Sequence, residues 1–418
     1  MSKFVLVGGG ISSCVIALFL LKNKHQVEIY EKRSYLGGIL NDVSDKENIF
    51  FRGCQYLDVN NQWFKFFKDE FEDELDIFEH TYGSYVEIDG KKSLSKDFAV
   101  PYFDRLDLEN YDPSENIAKP RVSVEDRFDL YPKNIKNFFS KIYKRHKLDP
   151  KEICFSCVDN LQVGRITSGT EANKILQLKK TDKIFDDIFA VQRQMVYDEI
   201  KLLGALPKLG FTKLFESIKR KLLSYGVKIF TNSIVRPEWK NDKLELTNKN
   251  EKIDCDYILW TGDPTKLIKG QLNKDIESKY VRILQTNANI LDSSNFDKRY
   301  FQIFSDEKIL TKIYLYNIDG KKKISVESMY EKKSSEEILS QAVDILKKFN
   351  INLKLDRKSF KQSIDVRFNV VSINDEKTIK EFLNKTEKTN LLPGAWLLYG
   401  RDRRMHFYLD VLKEKGLI

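Results

Sequence analysis

Gly8, Gly9 and Gly10 follow a short apolar run, Phe4 to Val7, and precede small residues at Ser12, Ser13 and Ala17. The chemistry this arrangement offers is anion binding. A backbone without Cβ atoms can touch a pyrophosphate, and a helix opening behind it presents unpaired N–H groups and the positive end of its dipole. Gly8 and Gly10 fill the first two positions of G-x-G-x-x-G, and Ser13 stands at the third, where a small residue suffices. Ile11 and Ser12, at the start of the helix, join them as candidate contacts. Glu31 ends the next apolar run, Val27 to Tyr30, where a carboxylate accepts hydrogen bonds from an adenosine ribose. Strand, turn, helix, second strand and acid agree, so a bound dinucleotide is the expectation.

The other reactive residues are sparser. Cys154 and Cys157 form a C-x-x-C, which is half of a zinc site or a redox dithiol. A dithiol fed by NADPH needs a second G-x-G-x-x-G soon after the pair, and Gly164, Gly169 and Gly204 do not supply it. A plain pair, dispensable for catalysis, is therefore expected. His25, His80, His146 and His406 fall into no metal-ligand spacing and no nucleophile triad. The basic YGRDRR near the C-terminus lacks the interleaved aromatics of a nucleic-acid surface.

These residues need elements to hold them. At 418 residues, 41% apolar and 12% aromatic, the chain can build two or three domains. Its net charge of +9 is spread through mixed-sign runs, which describes a solvated surface with a small bias toward anionic partners. Lys3 and the apolar run reaching Leu21 imitate a signal peptide, but the glycines and serines inside it and the strand after it favour the dinucleotide reading. No stretch approaches the roughly 20 apolar residues of a membrane span. Five cysteines, an odd number, suit a reducing compartment, and a cytoplasmic setting is expected. The pattern predicts helices at Ile11 to Lys22, Asn61 to Leu75 and Ser335 to Phe349, helical periodicity over Glu171 to Leu203, and a hairpin turning at Asp89 and Gly90.

Past Glu31, the E-x-x-x-x-L-G-G pattern with Gly37 and Gly38 resembles the extended fingerprint of the FAD-dependent amine oxidase, protoporphyrinogen oxidase and UDP-galactopyranose mutase superfamily. Further resemblances follow in order. Tyr131, Pro132, Asn134, Phe138 and Phe139 are similar to the mutase Y-P-x-N-x-x-x-F-F stretch, and TGDP at Thr261 and Gly262 to its T-G-P-x-D turn. ESKYVRIL and ILTKIYLY are similar to its Y-R-S-L and Y-T-R-I-x-E segments, and LLYGRDRRMHFYLD to its closing G-R motif. The resemblance implies FAD rather than NAD. It also implies an α/β fold: a Rossmann-type (GR2-like) FAD-binding domain, a helical insertion and an antiparallel-sheet substrate domain. The implied boundaries are 1–80 and 204–265 for the nucleotide domain, 81–133 for a hairpin and loop, 134–203 for the insertion, 266–385 for the sheet domain and 386–418 for a return to the cofactor.

By the same resemblance Lys32, Arg33, Gly37, Gly38, Val235, Thr261, Gly262, Gly400, Arg401, Tyr408 and Leu409 join the cofactor contacts, with Arg401 on the pyrophosphate and the Val235 backbone on adenine. Arg282 and Lys312 become candidate substrate ligands, although Arg282 stands one residue off the Y-R spacing and Lys312 replaces an arginine. His406 becomes a candidate for proton transfer. The implied activity is that of a mutase-like enzyme on a nucleotide-activated or otherwise anionic sugar in surface-polysaccharide biosynthesis, with reduced flavin as nucleophile. An FAD oxidoreductase of the amine oxidase type and a non-enzymatic flavin-binding protein are the alternatives. The expected partner is a small anionic molecule, with no metal and no nucleic acid.

Overall fold

The computed structural model describes the chain apart from residues 45–46, 107, 109–110, 112, 162, 192–201, 278 and 298. Five parallel strands form the nucleotide-domain sheet in the order Lys228–Phe230, Gln26–Tyr30, Lys3–Val7, Tyr257–Trp260 and Leu391–Leu392. Phe4, Val5 and Leu6 have no exposed surface, as a central strand covered on both faces requires. The helix Ile11–Lys22 buries Cys14, Val15, Ile16, Ala17, Leu18 and Leu20. It is apolar nearly all round because it lies between this sheet and the helices Phe211–Ser224 and Arg401–Glu414. The last two elements of the chain, Leu391–Leu392 and Arg401–Glu414, thus return to the first two.

The second sheet has eight strands and divides by face. Lys279–Ser294, Lys321–Met329, Leu310–Ile318 and Arg299–Ser305 pair antiparallel, and Arg299–Ser305 pairs parallel with Thr81–Ile88. The hairpin expected at Asp89 and Gly90 forms, with both residues at positive φ (47° and 76°), and it belongs to this same sheet. Leu284, Ala288, Ile313, Leu315, Ile324 and Val326 pack on one side under the helix Ser335–Lys348, which Ser334 and Glu337 close with a capping box. Alternation puts Gln285, Asn287, Gln302, Lys312, Tyr314, Tyr316, Ser325 and Glu327 on the other side, buried against the nucleotide domain. Gln285 donates to the Phe51 carbonyl (2.5 Å), and the Phe51 and Cys54 amides donate to Tyr316 (3.1 Å) and Glu327 (2.9 Å).

The insertion is less uniformly helical than its periodicity predicts. Lys133–Arg145, Ala172–Thr181 and Ile184–Ile188 are α-helices, with a 3-10 turn at Phe155–Leu161 between the first two. The helix from Ala172 stops at Asp182, whose backbone is extended and whose carboxylate accepts from the Ile184 amide (2.8 Å), which starts the next helix. Residues 192–201 of the expected helical stretch lie outside the described residues. Leu203–Pro207 is a strand, paired with Leu57–Asp58 and Leu75–Glu79. Among the described residues no helix is long and apolar enough to cross a membrane.

Candidate cofactor groove and active site

The carboxyl ends of Lys3–Val7 and Tyr257–Trp260 meet at the glycine turn, the position where open α/β sheets bind ligands. Gly8 has φ +108°, and a Cβ there would stand 2.5 Å from the Thr261 hydroxyl. Thr261 cannot swing aside, because its amide and hydroxyl both donate to the Val7 carbonyl (3.0 and 3.1 Å) and its hydroxyl meets Ser13 Oγ (3.1 Å). Gly9 is walled in by Leu36 and Glu31. Gly10 differs: its backbone is extended (φ −73°, ψ 173°) and a Cβ would meet nothing within 4 Å. Gly10 is the N-cap of Ile11–Lys22, no side chain caps that helix, and no acid occupies its first turn. The cradle and the donors of an anion site are therefore both open.

The second glycine pair locks onto the first. The Gly37 amide donates to the Gly9 carbonyl (2.8 Å), and a Cβ on Gly38 would lie 3.3 Å from the Gly10 Cα. Glu31 is buried beneath the turn, where it accepts from the Gly9 amide (2.6 Å) and the Arg33 amide (2.8 Å). A carboxylate offers about four acceptor positions, so capacity remains for a ribose.

A groove runs from Gly10, Ile11, Ser12 and Gly37 past Thr261 to Trp396, Gly400 and Arg401, with Gln55, Cys157, Asn160 and Lys312 along its walls. It shares Ser12, Thr261, Trp396 and Arg404 with a cleft that also touches Lys32, Gly262 and Tyr408. The continuous trough suits an extended dinucleotide. Gln55 contributes a buried amide nitrogen without a protein partner. Buried polar atoms of this kind are normally satisfied, here by whatever occupies the trough.

The remaining expected site residues divide. Lys312 faces the groove, but its ammonium pairs with Glu327 at 3.1 Å, both nearly without exposure. Arg282 is exposed on the opposite side: it has the parity of Leu284, which packs toward the Ser335–Lys348 helix, not of Gln285. His406 is exposed on the outer side of Arg401–Glu414. Leu409 is core, and Tyr408 accepts from the Ala395 amide (3.3 Å). Arg401 lines the same groove as Gly10, and it donates to the Tyr56 carbonyl (2.7 Å) and Gln55 Oε1 (3.2 Å). Arg33 donates to the Gly38 carbonyl (2.9 Å) and so braces the glycine pair. Val235 is buried at the start of a small meander, Val235–Ile253. Burial raises the pKa of Asp402 beside Arg401, which opposes that rise, and Trp63 donates to it (2.9 Å). Gln55, Asn160, Trp396 and Glu327 had no local sequence signal.

Residues 6–69 match the model of NAD(P)-binding Rossmann-like domains. No curated protein sequence matches the chain. Three solved structures align over nearly the whole length. Reduced UDP-galactopyranose mutase superposes with a TM-score of 0.65 at 12% identity, over 100% of this chain and 96% of its own. Putrescine oxidase bound to putrescine gives 0.56 at 11%, over 99% of both chains. A CLA-producing fatty acid isomerase from P. acnes gives 0.56 at 11%, over 99% and 98%. The chain thus has the mixed α/β fold of these proteins, built on a Rossmann-like first domain.

Proposed function

We propose that the chain is an FAD-dependent enzyme that holds the dinucleotide along this trough and works on a small molecule against the polar face of the large sheet. The observation that carries the cofactor is Gly10, an uncapped helix N-terminus behind a position where a side chain would meet only open space. When bound, FAD supplies redox and nucleophilic chemistry that the side chains lack. The chain's own groups bind and orient it. Amides at Gly10 to Ser12 would hold the pyrophosphate, Glu31 the ribose, and the unpartnered Gln55 Nε2 an acceptor further along. The Lys312–Glu327 pair fixes a dipole at the wall between groove and sheet.

The finer reading is a mutase-like enzyme for a nucleotide-activated or otherwise anionic sugar of surface-polysaccharide biosynthesis. The higher TM-score of the mutase among the three structures supports it. One observation favours the oxidoreductase alternative. With Glu327 against it, Lys312 leaves that wall without net charge, which suits a neutral substrate better than a diphosphate. Turnover of UDP-sugars with and without dithionite tests this: the mutase reading requires isomerisation by reduced protein only. Turnover that consumes oxygen or another acceptor would replace it with the oxidoreductase.

A further inference from the structure

We propose that Cys154 and Cys157 are a redox-active dithiol in the wall of the cofactor groove, oxidised to an intramolecular disulfide by passing two electrons to FAD bound there. The proposal rests on the FAD reading above. Three observations carry it.

The first is the pairing: the two Sγ atoms lie 3.5 Å apart as free thiols, on a turn closed by the Cys157 amide donating to the Cys154 carbonyl (3.0 Å). A bond of about 2.0 Å then needs only side-chain rotation. The second is placement. Cys157 and its neighbour Ser156 line the same groove as Gly10 and Lys312, while Cys154 sits behind them with no exposed surface. Bulk disulfides are thus kept from Cys154, and the groove is the opening to the pair.

The third is the polar setting. The Val371 amide points at Cys157 Sγ (3.3 Å), and Ser156 Oγ lies 3.1 Å from Cys154 Sγ. The hydrogen bond between the two thiols holds Cys154 below its ordinary pKa, and the same contact, with burial, pushes Cys157 up. Two thiols at this spacing, one of them ionising more readily than the other, are the arrangement from which a disulfide closes. No group of three or more His, Cys, Asp or Glu side chains able to hold a metal occurs among the described residues.

The step balances. Two thiols lose two electrons and two protons, one S–S bond forms, and oxidised FAD takes both electrons and both protons to become reduced FAD. The reverse direction returns the dithiol. No second nucleotide fingerprint is needed, because the electrons come from or go to the flavin alone.

The test is anaerobic. Reduced apo-protein is equilibrated with FAD and reduced FAD at a series of ratios, bound flavin is measured, and thiols are counted by alkylation and mass spectrometry. We expect five alkylated thiols at the reduced end and three at the oxidised end, with peptide mapping that finds Cys154 and Cys157 protected. Gly10→Val, which closes the cradle, should keep all five under oxidised FAD, and Cys154→Ser should keep its FAD and its four thiols throughout. Bound FAD with five thiols at every ratio would overturn the dithiol and leave the cofactor reading standing. Failure to bind FAD at all would overturn both.

Discussion

Gly8 and Gly10 occupy equivalent-looking positions of one motif, yet the structure assigns them opposite consequences. For Gly10→Val the free protein has nothing to lose: φ −73° and ψ 173° are open to any residue, and the Cβ meets no atom within 4 Å. Removing a glycine where the backbone is compatible lowers the entropy of the unfolded chain, so apo stability should hold or rise by about 0.4–1 kcal/mol. In the complex the isopropyl group fills the pyrophosphate cradle. Losing two charge-assisted backbone hydrogen bonds at about 1.5–3 kcal/mol each weakens FAD by roughly 3–6 kcal/mol, about two to four orders of magnitude in Kd. Gly8→Ala reverses the pattern, because φ +108° and a 2.5 Å approach to a doubly held hydroxyl strain the fold itself. Urea unfolding of both apo-variants and FAD titration followed by flavin fluorescence measure the two effects separately. Equal FAD affinity for Gly10→Val and wild type, or equal destabilisation of Gly10→Val and Gly8→Ala, would refute the reasoning.

Three further outcomes are expected. Lys312→Met and Glu327→Gln should each cost about 3–5 kcal/mol by stranding a buried partner, whereas the double variant should recover most of that loss; additive losses in urea unfolding would show that the two do not act as a pair. His80 is buried among Tyr56, Tyr82, Tyr300 and Tyr314, neither ring nitrogen has a partner, and burial lowers its pKa from 6.5 to about 3. Its contribution is full above pH 6.5 and is lost as pH falls, since only the unfolded chain then takes up the proton, at about 1.4 kcal/mol per pH unit. By pH 5 about 2 kcal/mol should be gone, and His80→Phe should flatten that part of the stability profile; an unchanged slope would place the ring in water. Arg401→Ala should lower apo stability by about 1.5–3 kcal/mol through the lost hold on Tyr56 and Gln55, with partial rescue by Lys; unchanged apo stability with weakened FAD binding would instead make Arg401 a direct ligand.

The nucleotide half was legible because its signals are local. Three buried residues, three glycines, a buried helix and an acid follow one another within the first thirty-one positions, and each sets the backbone of the next. Lys312 could be placed by its surrounding motif, but its partner Glu327 could not, since only the pairing of Leu310–Ile318 with Lys321–Met329 brings them together. Arg282 shows the reverse failure. A displacement of one residue in a strand turns a side chain to the other face, and the Y-R spacing was displaced by one. His406 and Leu409 lie in a segment that does return to the groove, yet helical spacing directs one to solvent and the other to the core. The cysteine pair carried a spacing without a location. Its long-range anchor to Val371 helps set it in the groove wall.

The central claim is that this trough holds FAD without a covalent bond. The direct measurement is the flavin content of the purified protein, supplemented with FAD, followed by heat denaturation and mass identification of what is released. The account predicts a yellow protein that gives up about one equivalent of intact FAD, and a Gly10→Val variant that folds and stays colourless. A colourless wild type that cannot be reconstituted with FAD would contradict it.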